Sequence, residues 1–220
     1  MRIVVCLLLL ISARVMAVPD FSGEDGYRLW QRYDVIDAAL PAATLKVVGH
    51  TETHNIIRDE FRWAFANRVG QSRGTLLVQK ITPELQARFN LQADVTAQLG
   101  DEGFILKRHG NDILITAKTD IGLLYGSYHL LRLVFIQQPL DSLSVLQNPK
   151  IQRRLLNHWD DLDRHTERGY AGESIFDWHR LPLDKDQRYY DYARANASIG
   201  INGMVPINVN ANALMLPPMY

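Results

Sequence analysis

Acidic side chains cluster between residues 160 and 167, directly after a short apolar segment. They are Asp160, Asp161, Asp163 and Glu167. Carboxylates in pairs can cleave a glycosidic bond, because one protonated acid serves the leaving group while the other acts as base or nucleophile. Surface loops are routinely acidic as well, so solvation and loop salt bridges are the alternative interpretation. The cluster alone does not establish a catalytic pair.

Trp159 and Asp160 together favour a sugar-binding site at the end of the same apolar segment. The indole ring offers an apolar plate to the C–H face of a sugar, and the carboxylate suits its hydroxyl rim. Asn208, Val209 and Asn210 follow the next apolar segment. They lie near Trp159 if the two segments are neighbouring parallel strands, because ligands bind at the carboxyl ends of such strands. Plain packing of these side chains is the alternative interpretation.

Other catalytic patterns are weak or missing in the sequence. His158, His165 and His179 are spaced by seven and fourteen residues, without the tight spacing typical of a metal site. The Gly-x-Ser-x-Gly sequence of a serine nucleophile does not occur. Asn196-Ala197-Ser198 matches a glycosylation acceptor, but it falls in a predicted helix and we interpret it as a chance match. We therefore predict no metal site and no serine triad.

The first seventeen residues have the form of a secretory signal peptide. Met1-Arg2 is positively charged, residues 3–11 are apolar, and Val15-Met16-Ala17 places small side chains where signal peptidase reads them. We predict cleavage after Ala17 and a secreted or periplasmic protein; a buried N-terminal strand is the alternative. The apolar run is too short for a stable membrane span. Cleavage also removes Cys6, the only cysteine, so we predict no disulfide and no cysteine ligand.

The composition is that of an ordinary globular protein. Hydrophobic residues make up 47% of the chain, charged residues make up 22%, and the formal net charge is +0. A neutral chain lacks the electrostatic footprint needed for nucleic acid or an anionic membrane, so we expect neither as a partner. A length of 220 residues is enough for one domain and part of another.

Residues 18 to 150 are predicted to form an N-terminal α+β domain, because strand and helix signals alternate along them. Strands are predicted at 47–48, at 74–81, and in a hairpin of 104–107 and 113–116 around a polar turn at 109–112. Helices are predicted along a stripe of Leu29, Tyr33 and Ile36, over 59–69, from the Thr82-Pro83 start, and from Thr119 to before Pro139.

Residues 151 to 220 are predicted to form one βαβ unit with parallel strands. The strands fall at 153–159 and 201–207, and Pro206 belongs at a strand end because it offers no N–H to a sheet. The helix between them is predicted to begin at Asp184, to bury Tyr189, Tyr192, Ala193 and Ile199, and to end at Gly200. A closed (β/α)8 barrel takes about 250 residues. We therefore interpret this segment as the start of a barrel that is incomplete, within an α/β fold.

Several motifs resemble the α-glucuronidases of glycoside hydrolase family 67. They are Asn157-His158-Trp159-Asp160, residues 167–172 and residues 192–203. Residues 24–30 look similar to the opening segment of that family. Residues 122–126 resemble the end of its first α/β domain, a domain type shared with some hexosaminidases. The resemblance spans essentially the whole mature chain.

The resemblance implies a hexosaminidase-like sheet in residues 18–150 and a catalytic barrel that starts at residue 151. Members of the family remove glucuronic acid or 4-O-methyl-glucuronic acid from xylooligosaccharides, with inversion and without a cofactor, and a homodimer is compatible with the full-length enzyme. Inversion requires carboxyl groups about 6.5–9.5 Å apart. In the family these groups lie on later barrel strands, so the resemblance places them beyond residue 220 and predicts no activity for this chain alone.

Part of the substrate pocket carries over by resemblance. Trp159, with Asp160 beside it, matches the family tryptophan that lies against the sugar. Residues 208–210 match the segment that approaches the uronic acid. Asp161 and Arg164 stand where the family commonly has asparagine and glycine, and Pro206-Ile207 replaces a more usual Leu-Asn pair, so the pocket shape is expected to differ in detail.

Two alternatives from other classes remain open at this point. The first is a non-catalytic exported module in which residues 20–150 bind a carbohydrate or a protein. The second is a hexosaminidase relative that shares only the first domain, and the segment from 192 to 203 argues against it.

Overall fold

The computed structural model describes residues 31, 33, 38–66, 68, 70 and 73–206. Its strands are β1 (Thr44–Val47), β2 (Thr75–Lys80), β3 (Phe104–His109), β4 (Asp112–Ala117), β5 (Ser144–Gln147), β6 (Leu155–Asn157) and β7 (Gly203–Val205). Its α-helices are α1 (Glu52–Phe65), α2 (Pro83–Arg88), α3 (Ala93–Ala97), α4 (Asp120–Phe135) and α5 (Gln187–Ser198). A 3-10 helix covers Glu167–Gly169.

The first five strands form a mixed sheet in the order β1-β2-β4-β3-β5. Strands β1, β2 and β4 run parallel, whereas β3 is antiparallel to both β4 and β5. The apolar runs 76–78 and 113–115 are buried, as expected for strands covered on both faces. Helices α1 and α4 cover one face, and α2 packs Leu85 against Leu77 and Leu114 on the other.

Local signals in the sequence predicted much of this sheet correctly. The hairpin is confirmed, although its strands reach His109 and Asp112, so the turn is shorter than predicted. Thr82 and Thr119 are confirmed as helix N-caps, because their side chains accept hydrogen bonds from the backbone of Leu85 and Gly122. Helix α1 differs from the prediction at 59–69, since it begins at Glu52 and ends at Phe65.

Strands β6 and β7 form a separate parallel pair, with Leu155 opposite Gly203 and Asn157 opposite Val205. Helix α5 connects them and packs against α4. The predicted strand–helix–strand order and the parallel direction are therefore confirmed. Pro206 directly follows β7, as predicted for a residue without a backbone donor.

The predicted start of α5 was wrong, and its predicted buried face was right only for Tyr189 and Tyr192, which are half-buried against Phe176. Asp186, not Asp184, caps the helix by accepting from the backbone N of Arg188 at 2.9 Å, while the carboxylate of Asp184 pairs with Arg180. Ile199 is 71% exposed and Ala193 is also exposed. The helix instead buries Asp191, whose carboxylate accepts from Gln187 and Arg194 on the same helix at 3.1 Å each.

Some predictions fall outside the described residues: the signal peptide at 1–17, Leu29 and Ile36 of the first helical stripe, and Asn208, Val209 and Asn210. In the part of the chain that is described, no helix combines the length and apolarity needed to cross a membrane.

Candidate functional site

The carboxyl ends of β6 and β7 meet at one edge of the small sheet. The backbone N of His158 donates to the carbonyl of Val205 at 2.7 Å, and that of Asp160 donates to the carbonyl of Pro206 at 3.4 Å. Trp159 therefore lies between two residues that are tied to the end of the neighbouring strand. Carboxyl edges of parallel strands are where such sheets place ligands.

Trp159 keeps part of its surface free at this edge. The residue is 39% exposed. Its carbonyl accepts from the backbone N of Glu167 at 2.8 Å, so the main chain is held while the ring stays accessible. An anchored and accessible indole can pack against an apolar ligand face.

Asp160 has the opposite environment, because it is only 1% exposed. Ser174 Oγ donates to its Oδ2 at 2.6 Å, and Thr166 Oγ1 donates to its Oδ1 at 3.3 Å. Ser174 Oγ in turn accepts from the backbone N of Phe176 at 2.9 Å. The carboxylate thus organises the loop that follows β6. The sequence did not reveal this role, because the donors lie six and fourteen residues away in a segment without regular structure.

The remaining acidic residues of the cluster lie in different environments. Asp161 is buried, and its Oδ1 has no hydrogen-bond partner among the described residues. Asp163 is exposed, and the backbone N–H of His165 lowers the pKa of its carboxyl group. Arg164 Nε and Trp178 Nε1, in the same loop, are also buried without a partner in the described structure. Unpaired buried polar atoms are costly, so this loop holds unused hydrogen-bonding capacity.

Aromatic rings connect the end of β6 to helix α5. His158 Nε2 lies 2.5 Å from the hydroxyl of Tyr192. The ring of Phe176 contacts His158, Tyr192, Tyr189 and Trp178 at centroid distances of 5.1–5.6 Å. Burial is the main reason that the pKa of Tyr192 is raised, so its hydroxyl stays protonated. Sequence reasoning missed Phe176 and Trp178, although two aromatics in a polar loop were a usable signal.

A cavity of about 480 Å³ opens beside these rings, between α5, α4 and β7. Its lining includes Tyr125, Phe176, Tyr189, Tyr192, Asn196 and Met204. The lining includes neither Trp159 nor Asp160, so this cavity is separate from the exposed indole. Within the described ranges, no group of three or more His, Cys, Asp or Glu side chains could hold a metal ion.

Two family models match the chain. Residues 29–130 match the glycosyl hydrolase family 67 N-terminus, and residues 133–220 match the glycosyl hydrolase family 67 middle domain. The probable alpha-glucuronidase A of Aspergillus oryzae is 32% identical over 211 residues, which cover 88% of this chain and 25% of the relative. The alpha-glucuronidase A of Emericella nidulans is 31% identical over 216 residues, with the same coverage. The chain spans about a quarter of the length of these curated relatives.

Two solved glycoside hydrolases share the fold. A GH138 enzyme targeting pectin rhamnogalacturonan II has a TM-score of 0.50 at 14% identity, over 75% of this chain and 24% of that one. A GH115 4-O-methyl-alpha-glucuronidase with specificity for decorated arabinogalactans has a TM-score of 0.50 at 11% identity, over 78% and 26%. At such low identity the likeness concerns the fold alone.

Proposed function

The chain belongs to glycosyl hydrolase family 67, and we propose that it serves in an α-glucuronidase. The substrate is a xylooligosaccharide that carries glucuronic acid or 4-O-methyl-glucuronic acid through an α-1,2 link. The observation that carries this proposal is the identity of 31–32% with alpha-glucuronidase A proteins across 88% of the chain. These relatives favour an enzyme over a non-catalytic binding module.

The carboxyl edge of β6 and β7 contributes the wall of the sugar pocket in this proposal. Trp159 packs its accessible ring on the C–H face of the uronic acid. Asn208, Val209 and Asn210 approach from the end of the neighbouring strand. Asp160 borders the same pocket and keeps its loop in place through Ser174 and Thr166. The support is the backbone pairing of His158 and Asp160 with Val205 and Pro206.

The hydrolysis itself needs one carboxylic acid to protonate the leaving oxygen and one carboxylate to activate water from the opposite face. Asp160 is unsuited to either role, because hydroxyl donors occupy both of its oxygens and its side chain is buried. As the family resemblance implies, the proposal places both catalytic acids outside these 220 residues, and this chain alone is expected to be inactive. No cofactor is required for the reaction.

The proposal extends to architecture and location. The unit β6-α5-β7 starts a (β/α)8 barrel, the five-stranded sheet is of the hexosaminidase-like type, and the boundary between the two domains lies near residue 150. The parallel register of β6 and β7 supports the barrel. Residues 1–17 direct the protein to the periplasm or out of the cell, where it encounters xylan fragments. A homodimer of the full-length enzyme is compatible with this proposal.

Release of glucuronic acid from aldouronic acids tests this proposal. The 220-residue chain is expected to release none, and the protein lengthened to the size of its relatives is expected to turn over. In the longer protein, Trp159→Ala should lower kcat/KM by at least about tenfold, a loss of ~1.4 kcal/mol of transition-state stabilisation. Leu183→Ala is the matched control, since that side chain is almost fully exposed.

Each outcome decides a separate part of the proposal. A longer protein without activity would rule out the function. Robust turnover by the 220 residues alone would show that the catalytic acids lie within this chain, contrary to the proposal. Unchanged kcat/KM in Trp159→Ala would show that the indole ring does not contact the substrate.

A further inference from the structure

A buried carboxylate lies where the N-terminal sheet domain meets helix α5. Glu60, on α1, is 1% exposed. Tyr33 Oη donates to its Oε2 at 2.7 Å, and Tyr128 Oη donates to its Oε1 at 3.1 Å. Arg194, on α5, completes the set, with Nε donating to Oε1 and Nη2 lying 3.1 Å from Oε2. Both carboxylate oxygens therefore receive donors from separate parts of the chain.

The guanidinium of Arg194 is engaged on every side. Its Nη1 lies 3.1 Å from Asp191 Oδ1, and its Nη2 also donates to the carbonyl of Gln31 at 2.9 Å. The group stacks 4.7 Å from the ring of Trp63. Because an arginine fork has fixed geometry, these contacts specify its orientation as well as its position.

The protonation states keep this cluster intact. Burial opposes the charge of Arg194, but the hydrogen bonds and the negative charge of Glu60 outweigh it and raise the arginine pKa. Burial, reinforced by Glu60, also raises the pKa of Tyr33 and of Tyr128. Arg194 thus remains cationic, and both tyrosines remain donors.

A buried ion pair of this kind is a weak source of stability. The desolvation of two charges offsets most of their attraction, and apolar side chains of similar volume are often at least as stable. What a directional network provides is one defined arrangement of the parts that it joins. The arrangement here is that of α5 on α1 and α4.

The opposite side of α5 holds the end of β6. Tyr192 precedes Arg194 by two residues, which places it about 200° away around the helix. Its hydroxyl lies 2.5 Å from His158 Nε2, and His158 directly precedes Trp159. Tyr189, on the same helix, accepts from the backbone N of Asp177 at 2.8 Å.

A second ion pair holds the other end of the small sheet. Arg154 Nη2 lies 2.6 Å from Glu102 Oε2, and Asn202 Nδ2 donates to Glu102 Oε1 at 2.9 Å. These residues precede β6 and β7, so Glu102 anchors the amino ends of both strands. Helix α5 itself is tied to the N-terminal part of the chain by the pairing of Arg194 with Glu60 and by the hydrogen bond from Gln31 Nε2 to Ser198 Oγ at 3.1 Å.

We propose that Arg194 is a positioning residue, whose pairing with Glu60 orients α5 so that Tyr192 holds His158, and through it Trp159, at the carboxyl edge of β6. The inference rests on the proposed function only in naming Trp159 as a substrate contact. The coupling from Glu60 to His158 is a property of the described residues themselves.

Histidine-labelled NMR on the 220-residue chain tests this coupling without any substrate. Arg194→Met keeps the side-chain length and removes the fork. We expect the His158 ring resonances to move to a position like that in Tyr192→Phe, which breaks the contact directly. Amide exchange at residues 158–160 should accelerate at least about tenfold, while β4 stays protected. Arg194→Lys, which keeps the charge but not the fork, should recover only part of the His158 signature.

Arg188→Met is the matched control, because Arg188 lies on the same helix with an exposed ion pair to Asp186. It should leave His158 unchanged. A folded Arg194→Met protein with native His158 resonances would overturn the proposal. If Arg194→Met loses β4 protection, Glu60→Gln becomes the deciding variant, and a native His158 signal there would overturn it equally. An inactive longer protein would reject the enzyme function but would not alter this readout.

Discussion

At the scale of single residues, neighbours in the sequence have unlike roles. Trp159 keeps an accessible ring, whereas Asp160 is enclosed by Ser174 and Thr166. The pairing of an aromatic plate with an acid beside it predicted a site at this strand end. It did not predict that the Asp160 carboxylate would accept hydrogen bonds from Thr166 and Ser174. Hydrogen bonds between residues six and fourteen positions apart leave no local pattern in the sequence.

Asp160→Ala is expected to destabilise the loop after β6. The change leaves the buried hydroxyl of Ser174 and the half-buried hydroxyl of Thr166 without their acceptor. A buried group left unpaired costs ~1–3 kcal/mol. We expect a lower free energy of unfolding in urea and faster amide exchange at Ser174 and Phe176. Asp163→Ala, in the same loop but exposed and with a single backbone donor, should have a much smaller effect on both. Native protection at Phe176 in Asp160→Ala would mean that the carboxylate does not hold the loop.

At the scale of elements, signals within a few residues were reliable and signals that depend on packing were not. The strand at 75–80, the hairpin, and the caps Thr82 and Thr119 are confirmed because each depends on its own short segment. The start of α5 was wrong because Asp184 is paired with Arg180, which leaves Asp186 as the cap. The spacing of apolar residues along the helix does not show that the Asp184 carboxylate is paired with Arg180. It therefore cannot decide whether Asp184 or Asp186 is the cap.

Gly126→Ala tests how closely α4 packs on the sheet. Helix propensity alone predicts stabilisation by about 1 kcal/mol. An added Cβ, however, would lie 2.8 Å from Ile115 Cγ2 and 3.2 Å from Phe104 Cβ. Overpacking of this kind costs ~1–3 kcal/mol, so we expect a net loss of stability and a lower Tm. Arg132→Ala, exposed on the same helix, should stay within about 0.5 kcal/mol of the parent; a stabilised Gly126→Ala would refute the close packing.

At the scale of the whole molecule, a well-covered sheet supports a smaller one. The five-stranded sheet has helices on both faces, and the pair β6-β7 is joined to it through Glu102 and Glu60. Within the described residues β6 pairs only with β7, and Leu155 and Val205 are exposed. Exposed apolar strand faces are mobile or prone to association.

Amide exchange in the isolated monomer should therefore differ sharply between the two sheets. Amides of β6 and β7 are expected to exchange at least about 100-fold faster than those of residues 113–115, because local opening of a two-stranded sheet needs much less than global unfolding. A dilution series separates protection by self-association from protection within one chain. Strong protection across Leu155 and Val205 in the dilute monomer would contradict the prediction.

The sequence by itself determined the order of β1 to β4 with α1, α2 and α4, the parallel unit after residue 150, and the family, since these depend on local periodicity, capping and motifs. It did not predict α3 or the edge strand β5. Only the tertiary structure decided that Asp160 serves its own loop, that Asp186 begins α5, and that Glu60 and Arg194 meet. Those contacts join residues up to 134 positions apart. Directional hydrogen bonds form once packing has brought their partners together. The pattern of residue types along the sequence does not show which distant residues will become neighbours.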